Sequence, residues 1–449
     1  MNKENQEEKF GLFTTVSMIS GIVIGSGIFF KVDDVLFATG GSVALGVLLW
    51  VVSAFGIIFG GLTVSLYARK ETKAGGLITY SEMAWGDMWG FIAGWFQTVF
   101  YFPAIVAILS FVAAIYLGLV FGITNPTDPR IWIFTLVIMV STYLFNIFST
   151  RSAGKFQSIS LVIKLAAVLG LAFLGFIFGS KSNLVSVTTN ISSNGLFHGL
   201  IACAFSFDGW FVAPSIAHEI KNPKKNLSMA LVLAPLMILC VYLLYFLGIN
   251  AMLGPAVVME LGDASVGYIV SDLFGPIGVN IVYALVFMSI LGAVNGLVLG
   301  YIRLPYALAL REDDKRFDKL TKIHSKYEVS ILSSVIAFIF TLIWILLHAL
   351  SVFKIKTGFF DFSHLQIDSL PIVLMYIFYI SLFVKVIVDF IKTGEHGRIY
   401  GLIFPILAIW GSSLIVIGGF SNPNGAIYLL ISVVGISMGI VFKKLLYRY

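Results

Sequence analysis

The sequence predicts an all-α polytopic membrane protein with twelve transmembrane helices, and three observations carry that expectation. Of 449 residues, 59% are hydrophobic and only 12% charged, more apolar surface than a soluble fold of this size can hide. The apolar residues come in long continuous windows, which suit helices and exclude a β-barrel. Lys and Arg gather in alternate loops, as they do in chains threaded through a bilayer.

Windows of about 18 residues or more fall at 11–37, 42–68, 88–121, 131–149, 154–179, 196–219, 227–253, 276–309, 329–350, 370–391, 400–419 and 426–446. Residues 80–87 read as a short interfacial lead-in to the third span. Residues 256–274 read as an external amphipathic loop helix. No long linker or low-complexity tract divides the chain, so a single domain over 1–449 is expected. The polar start, MNKENQEEKF, contains no cleavable signal and reads as a solvated tail.

With the amino terminus in the cytoplasm, the Lys and Arg residues divide into 21 in inner loops, 4 in outer loops and 4 within spans. Both termini are therefore expected inside. The net charge of +6 then faces the inner leaflet, and nucleic acid is not an expected partner. The run from Arg311 to Lys326 reads as a solvated cytoplasmic loop. Cys203 and Cys240 lie in apolar runs and read as small buried hydrophobes rather than a disulfide framework. The six histidines lack metal-ligand spacing, and no Walker A, GxSxG, HExxH or CxxC signature occurs. No metal, no cofactor and no enzymatic activity are expected.

The first span holds GIVIGSGIFF at 21–30. Gly21 and Gly25 form a GxxxG that would let two helices approach closely. The triplet Gly25-Ser26-Gly27 points further, because two glycines cost roughly 2 kcal/mol of helix propensity against alanines. They suit a helix that stops and restarts in mid-bilayer. The restarted half would present orphan N–H groups and the positive dipole end to a carboxylate, and the first half would present orphan carbonyls to an ammonium. Five spans later, AFSFDGWFVAP at 204–214 interrupts an apolar run with Ser206, Asp208, Gly209 and Pro214. A sixth span enters from the opposite side to the first, the relation an inverted repeat requires. A polar external helix end is the other reading of SFDGW.

Other polar residues lie within spans. Lys164 stands about 12 Å along the fifth span, at 1.5 Å per residue. It reads either as a tether to carbonyls freed at the first break or as a snorkelling surface lysine. Asn295 reads as a bridge from the eighth span to the breaks or as an interhelical hydrogen bond, and Gln97 is open in the same way. Asp208 has three readings: a cation site, a proton site, or a cap for nearby backbone N–H groups. Lys31, Asp33 and Asp34 end the first span and line its external mouth. Tyr242 and Tyr245 in the seventh span have a functional reading and an aromatic-packing one, of which packing is favoured.

The residues GSGIF at 25–29, GGLITYSEMAWGDMWGFIAGW at 75–95, Lys164, FSFDGW at 205–210, HEIKNP at 218–223 and Asn295-Gly296 together resemble the L-type amino acid transporter family. That family belongs to the amino acid–polyamine–organocation superfamily. Within it, the chain resembles bacterial members that exchange small neutral amino acids, such as the serine/threonine and alanine-serine-cysteine exchangers. The resemblance covers nearly the whole chain.

It implies a LeuT-type fold of two inverted repeats, 11–179 and 196–391, with two appended helices at 400–446. It also implies that the substrate carboxylate takes N–H groups at Ser26 and Gly27, with Ile28. The amino group would take carbonyls at Val23, Phe205 and Asp208, with Ile22 and Ile24 nearby. Phe205 or Phe207 and Trp210 would close over the side chain, and a pocket near Phe205, Phe207, Gln97 and Asn295 would set its size. Lys164 matches the family's fifth-span lysine, linked to sodium independence and to gating. Asp208 departs from the glycine that animal relatives often carry, which leaves its side-chain role open. Residues 122–130 lack the cysteine of animal light subunits, so no disulfide-linked heavy subunit is expected.

The expected function is a sodium-independent exchanger of small neutral L-amino acids, such as alanine, serine, cysteine, threonine and glycine, working by alternating access in a plasma membrane. Short loops and the missing partner cysteine favour a bacterial source. The alternatives are a proton-coupled amino acid symporter and, on the same fold, an amino-acid sensor or channel.

Overall fold

The computed structural model describes residues 10–25, 27–71, 75–185, 193–312, 315–356, 362, 369–421 and 425–446. These residues are helical nearly throughout and form no strand. One isolated bridge pairs Phe10 with Ile220, where the Lys221 N–H reaches the Phe10 carbonyl at 2.8 Å. Among the described residues, ten helices are long and apolar enough to cross a membrane, and they correspond to the second to eleventh expected spans. The first span is divided into α1 (Leu12–Val23), α2 (Gly27–Phe30) and α3 (Val32–Ala38).

Local chemistry explains where the next helices begin and bend. α4 (Val43–Lys70) starts after Ser42, whose Oγ accepts the Leu45 N–H. A short helix buried along its first half, α5 (Leu77–Trp85), precedes the third span, and Gly86 separates it from α6 (Asp87–Phe96). The lead-in at 80–87 is packed at Tyr80, 1% exposed, and reaches the surface at Met83 and Trp85, 40% and 46% exposed. Between α6 and α7 (Phe102–Val120) the chain widens into a π-helical turn, Gln97–Tyr101. Pro103 has no N–H to return to the Val99 carbonyl. The freed carbonyls find side chains: Thr98 takes the Tyr301 hydroxyl at 2.6 Å, and Val99 takes Trp344 Nε1 at 2.7 Å.

α8 (Pro129–Phe148) is capped by Asp128, with Pro129 in its first turn. α9 (Thr150–Phe178) carries Lys164. The sixth span is α10 (Ser193–Ser206), a turn, and a 3₁₀ helix from Trp210 to Glu219. α11 (Pro223–Leu253) is followed by α12 (Pro255–Leu261), α13 (Ser265–Tyr301), α14 (Leu304–Ala309), α15 (Ile331–Val352), α16 (Ser369–Thr393), α17 (Phe404–Ser421) and α18 (Gly425–Leu446).

The structure changes three expectations. Residues 256–274 are not one amphipathic helix: α12 ends at Gly262, and α13 begins at Ser265 and bends at Gly275-Pro276. The start of α13 is buried, with Val266, Ile269 and Val270 at most 2% exposed. Cys203 is buried as expected, but Cys240 is exposed on α11. Arg311 is no free loop cation, since it donates to Glu82 at 3.1 Å and to Thr79 at 2.7 Å, both on α5.

The packing puts the first span at the centre. α1 lies against α9, α11, α13 and the 3₁₀ segment, while α10 lies against α3, α4 and α17. The two interrupted spans are therefore enclosed by the other helices.

Candidate functional site

The first helix stops where its sequence weakens it. After Val23, Ile24 turns to φ −71°, ψ 79°, and its N–H closes on the Ser20 carbonyl at 2.8 Å. The Gly25 N–H then folds back on the Val23 carbonyl at 2.7 Å. Helix resumes at Gly27 and Ile28, whose N–H groups open α2 and so have no acceptor within it. Ser26 lies outside the described residues. Ile24 and Ile28 are both fully buried.

The second interruption follows Ser206. The Phe207 N–H still reaches Cys203, the Asp208 N–H reaches the Phe205 carbonyl at 3.1 Å, and the helix then ends. Gly209 adopts φ +93°, a left-handed conformation that penalises any side chain.

The two interruptions touch. A Cβ added at Gly27 would lie 2.6 Å from Ser206 Cα, and one at Gly209 would lie 2.7 Å from an Ile22 methyl. Both glycines are fixed by that contact. Their backbones can approach only without side chains between them.

Tyr242 of α11 completes the contact. Its hydroxyl lies 3.0 Å from the Val23 carbonyl and 2.7 Å from the Ser206 carbonyl, the cut ends of both spans. The hydroxyl has one proton, which the nearer Ser206 carbonyl takes, so the Val23 oxygen accepts from the Gly25 N–H and keeps a lone pair beside Tyr242. On the other side of α1, Lys164 Nζ donates to the Gly21 carbonyl and is fully buried. Gly292 of α13 gives that side chain room, since a Cβ there would lie 3.1 Å from Lys164 Cε.

A cavity opens at the junction. Ile22, Val23, Gly25 and Gly27 of the first span line it, with Phe205 and Asp208 of the sixth, Ile105 and Leu109 of α7 and Leu297 of α13. Its walls are apolar apart from backbone groups and one carboxylate. That carboxylate accepts the Tyr101 hydroxyl at 2.6 Å, which the π-helical turn delivers from the third span.

The expected site residues thus divide. Phe205 and Asp208 face the cavity with the first-span residues. Phe207 is 1% exposed and packs edge-on against Trp50, beside Tyr242. Trp210 is buried against Phe211 and Tyr379. Asn295 accepts from Asn146 Nδ2 at 2.9 Å, an interhelical bond to α8. Gln97 begins the π-helical turn and is 4% exposed. Tyr101 escaped the sequence reading, as did Ile105, Leu109 and Leu297, whereas Tyr242 was singled out there with packing as its favoured role. The signals available were Pro103, two residues after Tyr101, and little else.

A family model described as amino acid permease matches residues 10–441. Among characterised proteins, the chain is similar to the serine/threonine exchanger SteT of Bacillus subtilis (strain 168). The two are 26% identical over 414 residues, covering 91% of this chain and 90% of that one. The human cystine/glutamate transporter is 28% identical over 327 residues, covering 69% of this chain and 62% of the relative. The mouse b(0,+)-type amino acid transporter 1 is 26% identical over 302 residues, covering 65% and 60%. The match therefore spans less than two thirds of either mammalian protein.

Proposed function

The chain belongs to the amino acid permease family, and from that premise we propose that it is a sodium-independent exchanger of small neutral L-amino acids. It would work by alternating access in a plasma membrane, with both termini cytoplasmic. The fold would be a LeuT-type pair of inverted repeats, 11–179 and 196–391, followed by two appended helices. The observation that carries the reading is the contact of two interrupted helices beside a small, mostly apolar cavity.

The substrate chemistry follows from the cut ends. The N–H groups of Gly27 and Ile28 take the carboxylate, with Ser26 beside them. The ammonium takes the carbonyls of Val23, Phe205 and Asp208. The single Tyr242 proton stays on the nearer Ser206 carbonyl, which leaves the second lone pair of Val23 to the ammonium and holds the two cut ends together. Ile105, Leu109, Leu297 and Phe205 bound the side chain, which favours small ones. Lys164 holds the end of α1 through Gly21, and its charge supplies what a coupling cation would otherwise provide.

Counterflow in proteoliposomes tests this reading. Labelled serine or alanine should enter only when unlabelled amino acid is trapped inside, and entry into empty vesicles argues against exchange. The Tyr101–Asp208 pair at the cavity favours one second reading, a proton-coupled symporter. In that case a pH gradient alone would drive uptake.

A further inference from the structure

Lys31 stands at the far end of α2 from the broken turn and joins it to α3. Its side chain is 13% exposed, and its Nζ lies 2.9 Å from the Asp34 carboxylate. The same ammonium sits 5.4 Å from the centre of the Phe205 ring. Phe205 forms one wall of the cavity and is 6% exposed. Lys31 belongs to the first interrupted span and Phe205 to the second. Their contact therefore ties the two spans together beside the cavity, away from the tie that Tyr242 makes.

An ammonium over an aromatic face is attracted by the ring quadrupole, more strongly where water is partly excluded. Asp34, one turn further along α3, holds the ammonium in place. We propose that Lys31 is a positioning residue for Phe205. By holding the ring against the cavity, it keeps a bound amino acid from leaving on the Lys31 side, which is the outside in the orientation proposed above.

The inference rests on the transport reading and adds a residue to it. Opening on this side moves Phe205 away from Lys31 and breaks the contact. Removing the cation makes that opening easier, so substrate escapes faster and apparent affinity falls on this side. The opposite side closes through other residues and keeps its affinity.

Oriented membrane vesicles, right-side-out and inside-out, provide the test with labelled serine. Lys31→Met should raise the external KM roughly three- to tenfold, with the internal KM and maximal rate within about twofold of wild type. Lys31→Arg should restore the external KM, because a guanidinium also sits on aromatic faces and pairs with a carboxylate. In a Phe205→Leu background, Lys31→Met should have no further effect. An unchanged external KM, equal shifts on both sides, or failure of Lys31→Arg to restore KM overturns the inference alone. Absence of counterflow in the wild-type protein overturns the transport reading and this inference with it.

Discussion

A lysine in the middle of an apolar run must give its ammonium protons to an acceptor, and Lys164 gives one to the Gly21 carbonyl near the end of α1. That residue was legible in the sequence because charge is rare within spans. Asp208 was legible for the same reason. Tyr101 was not, and Tyr242 could be singled out but not told from packing, because a chain with 40 Phe and 18 Tyr offers aromatics everywhere. Only the fold reveals that one hydroxyl spans two helix ends and the other reaches a carboxylate. Two predictions belong to this scale. Lys164→Met keeps the volume but leaves the Gly21 carbonyl without its buried donor. Counterflow should fall by about tenfold or more, given roughly 1–3 kcal/mol for a buried group left unpaired. Tyr242→Phe keeps the ring packing against Trp50 and removes only the hydroxyl. Serine binding should weaken by about three- to tenfold while melting temperature stays near wild type, read by radioligand binding and a thermal melt in detergent. Loss of folding instead would make the hydroxyl's bond to the Ser206 carbonyl a structural one rather than part of the binding site.

At the scale of the element, the interruptions were legible in outline and not in detail. GSG and SFDG mark the cuts because glycine and a short acidic side chain both weaken a helix locally. Nothing in either motif says that Gly27 faces Ser206 or that Gly209 faces Ile22, since those contacts join segments about 180 residues apart. The π-helical turn was missed for a related reason. Pro103 signals a disturbed helix, but whether the chain kinks or widens depends on Tyr301 and Trp344 taking the freed carbonyls. The reading of 256–274 as one helix failed at Gly262, which stops α12 inside it, while the break at Gly275-Pro276 falls where that segment was expected to end. The prediction here concerns the two contact glycines. Gly209→Ala places a side chain in left-handed backbone, at about 1–2 kcal/mol, and drives a methyl into Ile22. Gly27→Ala drives one into the Ser206 backbone. Both variants should insert into membranes at near wild-type levels yet lose most serine counterflow. Retained transport in Gly27→Ala would mean that the two cut ends need not touch for function.

Over the whole molecule, the bilayer does most of the specifying. It demands long apolar windows, and those windows gave the helices in order because each must satisfy its backbone internally. Ion pairs between distant segments follow no such rule and left no trace in the sequence. Arg311 reaches α5 across more than two hundred residues, and Lys443 of α18 reaches Asp87 across more than three hundred and Glu312 across 131. Lys443 illustrates what these contacts do. Its side chain is 1% exposed, its Nζ is 2.9 Å from Asp87 and also pairs with Glu312, and it lies 4.7 Å from the Phe91 ring centre. It thus fastens the last helix to the start of the third span and to the segment after α14. Glu312 is 7% exposed, whereas Asp87 is half exposed. Removing the ammonium therefore strands one buried carboxylate and leaves the other hydrated. Lys443→Met should destabilise the folded protein on the order of 2–4 kcal/mol, near the lower end of what breaking a buried pair costs. The sign of a second change separates charge from packing. Adding Glu312→Gln removes the stranded charge, so the double variant should melt at a higher temperature than Lys443→Met alone. A double variant no more stable than the single one would show that Lys443 works through its contact with Phe91 rather than through its charge.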